Sequence, residues 1–370
     1  TSVYSGLSTD YIVSRATDSD FDYVYYIQDT RDGSPDGLDT LYDIDLLRFS
    51  DGDLGLNSFY ESKEEDGFEG ETITGTDNDD LIDGFGGDDT ITGLGGDDII
   101  IGGEGNDVID GGSGTNRLYG DAGDDTITSS GTSDVVDAGD GDNTITLTSE
   151  AIGGDISSGS GSDIYNIQRG FKSNYIDELI IRSGDGEDIV NVDSNLLERF
   201  SIRLGQGNDN INYNEQLRSG HNYIYGDQGD DHINILAGAD RWSSISIVGG
   251  DDNDQILIEG DFNHIEGERN GYFVILGGKD NDTIDISKAT NLVGDSFGEP
   301  LVNGETGNDY IIGNNISNLF WGGTGNDIFY GAGGNDIFYG RDRYYKEDDG
   351  SINTSVYSGL STDYIVSRAT

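Results

Sequence analysis

Residues 75–128 read GTDNDDLID, GFGGDDTIT, GLGGDDIII, GGEGNDVID, GGSGTNRLY and GDAGDDTIT, six consecutive blocks of nine. Glycine opens every block and stands fourth in five of them. Aspartate holds the sixth place except at Asn116, and an aliphatic residue holds the eighth: Ile82, Ile91, Ile100, Ile109, Leu118 and Ile127. A fixed period of this kind decides the architecture before any local propensity does. Each residue type has a separate task. Glycine accepts positive φ and brings backbone carbonyls close together. Aspartate offers a short, hard oxygen ligand, and the eighth-place residue turns inward to fill a narrow core.

The pattern continues outward in degraded form. SSGTSDVVD (129–137) and AGDGDNTIT (138–146) follow directly. Single blocks then recur at wider spacing, starting at Ser158, Ser183, Leu204, Gly226, Gly249 and Gly277, and the beat of nine returns from Gly304 to Tyr339. Two blocks make one coil of about 18 residues, with a glycine-rich turn on each side. Sixth-place residues one coil apart then stack. Asp89, Asp107, Asp125 and Asn143 form one row, and Asp80, Asp98, Asn116 and Asp134 the other. Beyond Asn143 one row continues through Asp163, Asp188, Asp209, Asp231, Asp254, Asp282, Asp309 and Asp327. The wider steps predict enlarged coils that keep one such turn and replace the opposite one with a longer loop. ELIIR (178–182), FSIRL (200–204), NYIYG (222–226), SISIV (244–248) and YFVIL (272–276) each precede a glycine-acid turn and read as strands.

The blocks match GGxGxDxUx and resemble the RTX (repeats-in-toxin, haemolysin-type) nonapeptide, a calcium-binding repeat of parallel β-helices. The resemblance implies an all-β chain, a parallel β-roll or β-helix with a small β-rich capping module, and calcium held between successive turns. Calcium takes about six to eight oxygens, which one turn cannot supply and two stacked turns can. The candidate ligands are the sixth-place residues Asp80, Asp89, Asp98, Asp107, Asp125, Asp134, Asp163, Asp188, Asp209, Asp231, Asp254, Asp282, Asp309, Asp327 and Asp336. Sharing between turns implies about ten to fifteen Ca2+ ions. Asn116, Asn143 and Asn318 lack the charge, and Asp252 and Asp280 replace the fourth-place glycine, so weaker binding is expected there.

Composition agrees. The 370 residues carry 73 acidic against 19 basic side chains, a formal charge of −54, with 59 glycines and no cysteine. The charge excludes nucleic acid and anionic lipid as partners. The lack of cysteine excludes disulfides and thiolate chemistry. No apolar run reaches the roughly 18 residues of a membrane span. Only 33% of residues are hydrophobic, which with this charge is the composition of a disordered chain unless cations neutralise it.

Residues 1–17, TSVYSGLSTDYIVSRAT, recur unchanged as residues 354–370. This is either an artificial overlap or one period of a natural tandem array, and the array is favoured. With no initiating methionine and no signal peptide, the chain is expected to be processed or cut from something longer. The opening resembles a β module that follows RTX rolls, with YSG…DY at its start and LLRFSDG at its close. The expected organisation is a β-rich cap or linker over 1–64, a roll over 65–345 and the start of a repeated cap over 346–370. Within the roll, 66–146 is regular, 147–303 enlarged and 304–345 regular again. Tyr4, Tyr11, Tyr23, Tyr25 and Phe49 are expected in the core of the cap.

A search for catalysis finds nothing. His221, His232 and His264 form no HExxH motif, and there is no GxSxG elbow or phosphate loop. No threonine rank supports ice binding. Trp242 and Trp321 are candidates for stacking on a sugar, with inter-coil packing preferred for Trp321. The reading is thus non-enzymatic: a calcium-binding repeat unit of a secreted bacterial protein, extracellular or at the cell surface, contacting further copies of itself. It would form a stiff rod in a filament, surface layer or adhesin stalk. Two alternatives are a glycan- or receptor-binding module built on the enlarged coils, and an accessory roll of an extracellular enzyme.

Overall fold

The computed structural model describes residues 70–148, 154–168, 178–193, 199–217, 220–239, 243–262, 273–292, 301–340 and 352–356, and strand backbone among the first 55 residues. The chain divides into two compact units, Thr1–Gly139 and Asp140–Thr370. Among the described residues there is no helix.

In the first unit, one parallel sheet contains Leu81–Asp83, Ile99–Glu104, Arg117–Ala122 and Asp134–Asp137. The other contains Thr72–Thr74, Thr90–Thr92, Val108–Asp110 and Thr126–Ser129. The register follows the repeat without slippage. Ile82 pairs with Ile100 and Ile100 with Leu118, while Ile73, Ile91, Ile109 and Ile127 line up opposite. These side chains are buried. A strand of three residues has one inward position, so the regular coil is as narrow as one aliphatic residue per side. Earlier in this unit, Tyr11–Thr17, Tyr23–Asp29 and Leu38–Leu41 form an antiparallel sheet. Ser2–Val3 pairs parallel with Leu46–Arg48, which pairs antiparallel with Asp53–Gly55. The side chains of Tyr4, Tyr11, Tyr23, Tyr25 and Phe49 lie outside the described residues.

The second unit repeats the plan on a broader scale. The eighth-place row runs in unbroken register through Ile145, Tyr165, Val190, Ile211, Ile233, Ile256, Ile284, Ile311 and Phe329. A second inward row, Leu147, Ile167, Val192, Tyr213, Ile235 and Ile258, lies two residues further along the same strands and is also buried. Two inward positions per strand instead of one are what widens the coil. The extra width admits aromatics, as where Phe200 stacks on Tyr213 with centroids 5.4 Å apart. The five strands expected before glycine-acid turns are all present, over Leu179–Arg182, Phe200–Gln206, Gly220–Gln228, Ser243–Asp251 and Phe273–Lys279. The loops opposite the acidic turns contain an ordered row of their own, with Leu217 bridging Ala239 and Ala239 bridging Phe262, all buried.

The turns require left-handed backbone at the second and fourth places of a block. Gly207 shows why glycine holds the fourth place. Its φ is 132, and a Cβ there would overlap the carbonyl of Gly186 in the preceding coil. Asp252 and Asp280, the two expected departures, adopt φ of 78 and 69 at the same place. Aspartate is among the residues that tolerate this region, so the turn survives the exchange.

The inward row makes a direct demand on stability. Replacing Ile211 by alanine is expected to cost about 2–5 kcal/mol. Ile189 lies on an adjacent strand with 38% of its surface exposed, and its replacement by alanine should cost less than about 0.5 kcal/mol. Urea midpoints measured in calcium test this, and equal losses would overturn the inward register.

Candidate metal centres

The sixth-place aspartates other than Asp336 are buried and linked from coil to coil. Along each row the Oδ1 of one residue accepts a hydrogen bond from the backbone N–H of its counterpart one coil earlier. In the first unit Asp98 accepts from Asp80, Asp107 from Asp89 and Asp125 from Asp107, each at 2.8 Å. In the second, Asp163, Asp188, Asp209, Asp231, Asp254, Asp282, Asp309 and Asp327 accept in succession from the residue before, beginning with Asn143, at 2.7–3.2 Å. The steps lengthen to 28 residues at Asp282 and return to 18 at Asp327. The extra residues of the enlarged coils are thus absorbed without interrupting the row.

A second row, not foreseen from the sequence, runs beside the first in the opposite sense. Here the side chain of one coil accepts from the backbone of the next. Asp97 N–H donates to Asp79, Thr115 N–H to Asp97, Asn106 N–H to Asp88 and Asp124 N–H to Asn106, at 2.7–2.9 Å. In the second unit Asn208, Asp230, Asn253, Asn281 and Asn308 accept in turn, and Asn326 accepts from Ile352. The signal for it in the sequence is the frequent fifth-place Asp or Asn. Each turn is therefore held to one neighbour by its buried carboxylate and to the other by its exposed side chain.

The second carboxylate oxygen has a different fate. Oδ2 of Asp89, Asp98, Asp107, Asp209, Asp231, Asp254, Asp282 and Asp309 is buried with no hydrogen-bond partner. Except at Asp209, whose block opens on Leu204, it lies over the first-place glycine of its own block. At Gly84, Gly93, Gly249, Gly277 and Gly304 a Cβ would overlap both that oxygen and the first-place carbonyl oxygen of the next coil. Two hard oxygens from two stacked turns thus face one space that glycine keeps open. Among the described residues no three carboxylate or imidazole side chains converge on one point, so further ligands would have to be backbone carbonyls. The all-oxygen donor set, and a buried charge lacking a counter-charge, suit a hard divalent cation such as calcium.

The electrostatics agree. Burial raises Asp98, Asp125, Asp188, Asp209, Asp231, Asp254 and Asp309 to about 7, Asp89 to about 6 and Asp282 to about 8. The backbone N–H bond opposes the rise, and neighbouring carboxylates add to it. Burial also raises Asp107, Asp134, Asp163 and Asp336.

Several turns depart from this pattern. Asp134 has internal partners for Oδ2, the Ser129 hydroxyl at 2.6 Å and Gly131 N–H at 3.1 Å. Ser129 occupies the first place, where the six blocks of 75–128 have glycine. Asp80 Oδ2 accepts from Thr76 N–H and, at 3.0 Å, from its hydroxyl. Asn116, Asn143 and Asn318 keep their positions in the rows without the charge. The Asn116 amide oxygen accepts from Asp98 N–H at 3.0 Å, as a carboxylate would. Asp336 is half-buried and accepts from Asn318 N–H at 3.0 Å. Asn353 continues the long row, accepting from Asp327 N–H at 2.7 Å.

Of the other candidates, His221 and His232 are exposed on strands. Trp321 is buried, 4% exposed, with its ring edge-on to Tyr339 of the next coil at 6.3 Å. It packs between coils but within the interior, and offers no surface for a sugar. Trp242 and His264 lie outside the described residues.

The raised carboxyls set a pH dependence for the metal-free chain. A folded-state value above the unfolded one means that protonation favours the fold. That stabilisation is complete below the unfolded value of about 4 and is lost as pH rises through about 7. In chelator, the β-rich circular dichroism is expected near pH 4 and should fade between about pH 6 and 8. A chelated β signal that grows with pH over this range would contradict the assignment.

The model of the RTX calcium-binding nonapeptide repeat matches residues 67–100, 83–118, 92–127, 110–145, 218–241 and 312–342. No curated protein matches the chain. The matched segments span regular coils and one enlarged coil, and they contain Asp80, Asp89, Asp98, Asp107, Asp125, Asp134, Asp231, Asp327 and Asp336 of the carboxylates described above. The chain carries RTX calcium-binding nonapeptide repeats, folded as a parallel β-roll.

Proposed function

We propose that this chain is a secreted structural repeat unit that folds on calcium into a stiff rod, serving in an extracellular filament, surface layer or adhesin stalk. The observation that carries this reading is the row of buried carboxylates whose Oδ2 has no protein partner. Such a row repels itself unless cations lie along it. The ligands we assign are the fifteen sixth-place aspartates, about ten to fifteen ions being shared between turns. Asp80 and Asp134 are the weakest members, because their own blocks already satisfy Oδ2. The organisation we assign is a cap over 1–64, a roll over 65–345 and the start of a further cap over 346–370. RTX repeats are typical of secreted bacterial proteins, which supports an extracellular setting where calcium is plentiful. Metal binding then adds its free energy to folding.

Circular dichroism at neutral pH should change from disordered to β-rich on adding millimolar calcium and revert with chelator. Full β signal in chelator at pH 7.5 would sink the proposal. A finer test separates the two carboxylate oxygens. Asp209→Asn keeps the acceptor for Asp188 N–H, as Asn116 does for Asp98, and should fold while losing one or two ions. Asp209→Ala loses acceptor and charge together, and should lower the thermal midpoint as well. Bound calcium by elemental analysis, beside thermal melts, distinguishes them. Unchanged calcium in both variants would remove Asp209 from the ligand set.

A further inference from the structure

The roll of the second unit ends on a strand taken from the duplicated sequence. Thr354–Val356 pairs parallel with Ile328–Tyr330, Thr354 opposite Ile328 and Val356 opposite Tyr330. Ile352 and Asn353 reproduce the fifth- and sixth-place bonds of the preceding turns, each at 2.7 Å. Residues 352–356 are therefore a further turn and strand of the roll. The rung is incomplete, however. Its eighth-place residue is Ser355, exposed, where the row it continues, from Ile145 to Phe329, buries an aliphatic or aromatic side chain in every coil.

Among the described residues this end is apolar and carries no further strand. Among the described residues, Thr354–Val356 and Ile337–Tyr339 each terminate a sheet. Ile352 is 75% exposed and Ile337 53%, with Tyr339 and Val356 also exposed. Thr354 N–H donates to Asp327 C=O at 2.7 Å. Alternate residues of a strand address opposite neighbours, so the backbone groups of Ser355 face the edge on which no described strand lies. A parallel edge of this kind is a template for another strand.

The sequence supplies the partner. Thr354–Val356 is identical to Thr1–Val3, and the identity runs on to residue 370. In the opening module the Ser2–Val3 pair lies parallel to Leu47–Arg48, Ser2 opposite Leu47. One short sequence thus has two observed neighbours, a roll strand in one copy and a module strand in the other. A strand has two edges, and both pairings are parallel, so one strand can hold both at once.

We propose that the roll end is a joint, and that its occupant is the opening module of a second copy of this chain. Thr354–Val356 stays on Ile328–Tyr330 and takes the place of the second copy's Thr1–Val3 beside Leu46–Arg48. The displaced and entering segments are identical, so the contacts within the module are exchanged like for like. The net gain is cover for the roll end. The contact is head-to-tail and leaves a free joint at each extremity, so it propagates into linear chains rather than closing as a dimer. It rests on the reading of the chain as one period of a repeating rod.

The absence of native cysteine allows a direct test. Paired strands lie about 4.8 Å apart, within the Cα range of about 4.4–6.8 Å that a disulfide bridges. A chain carrying Ser355→Cys and Leu47→Cys, oxidised in calcium, should give a ladder of bands at multiples of the single-chain mass that collapses on reduction. Ser355→Cys alone can give dimers only. Ser2→Cys with Leu47→Cys should close within one chain. Single chains from the Ser355→Cys/Leu47→Cys variant, with full β signal by circular dichroism, would overturn the joint and leave calcium-dependent folding standing. A variant with no β signal in calcium would overturn both.

Discussion

The structure depends on a carboxylate that is buried and only half satisfied. One oxygen of each sixth-place aspartate accepts a backbone N–H from the coil before it, which fixes the stacking distance and register. The other oxygen, at Asp89, Asp98, Asp107, Asp209, Asp231, Asp254, Asp282 and Asp309, has no donor within the protein. A buried anion without a partner is strongly destabilising, and here it recurs at these eight turns. A proton or a cation at these positions would remove that cost. The Ser129 hydroxyl on Asp134 shows the alternative, a donor built into the chain that removes the cost locally.

The same cost bears on the composition. An excess of acidic over basic residues that gives −54 would oppose any compact state if all of it were solvent-facing. Exposed ion pairs such as Arg203 with Asp227 and Lys279 with Asp251 are few among the described residues and each contributes little. Placing carboxylates at intervals along a roll lets a divalent ion between turns neutralise them. Outside these rows the exposed Asp and Asn of the fifth places are themselves structural, because each clamps the following coil.

Much of the site was legible because the period is strict. Glycine first and fourth, aspartate sixth and an aliphatic residue eighth identify the turn, the candidate ligand and the core position one by one. The pairing of Asp89 with Asp107 and of Asp209 with Asp231 follows from counting alone. Widening of the middle coils could be read from longer steps, but its cause could not. The second inward row and the bridges among Leu217, Ala239 and Phe262 depend on where the longer loops return. Those loops follow no repeat. Trp321 was placed between coils but expected at the surface. Its burial follows from the neighbouring coil's Tyr339, which sequence adjacency does not reveal.

By itself, then, the sequence determined the repeat, the handover of one aspartate to the next and the chemistry of a hard cation. These are local consequences of residue type and spacing. Only the tertiary structure decided which carboxylate oxygens lack a partner, because that depends on what the next coil brings to the same space. It likewise showed that two rows of side chains clamp each turn from opposite directions. It also set Thr354–Val356 on the last coil, turning a repeated string of letters into a strand with no described strand on its other edge.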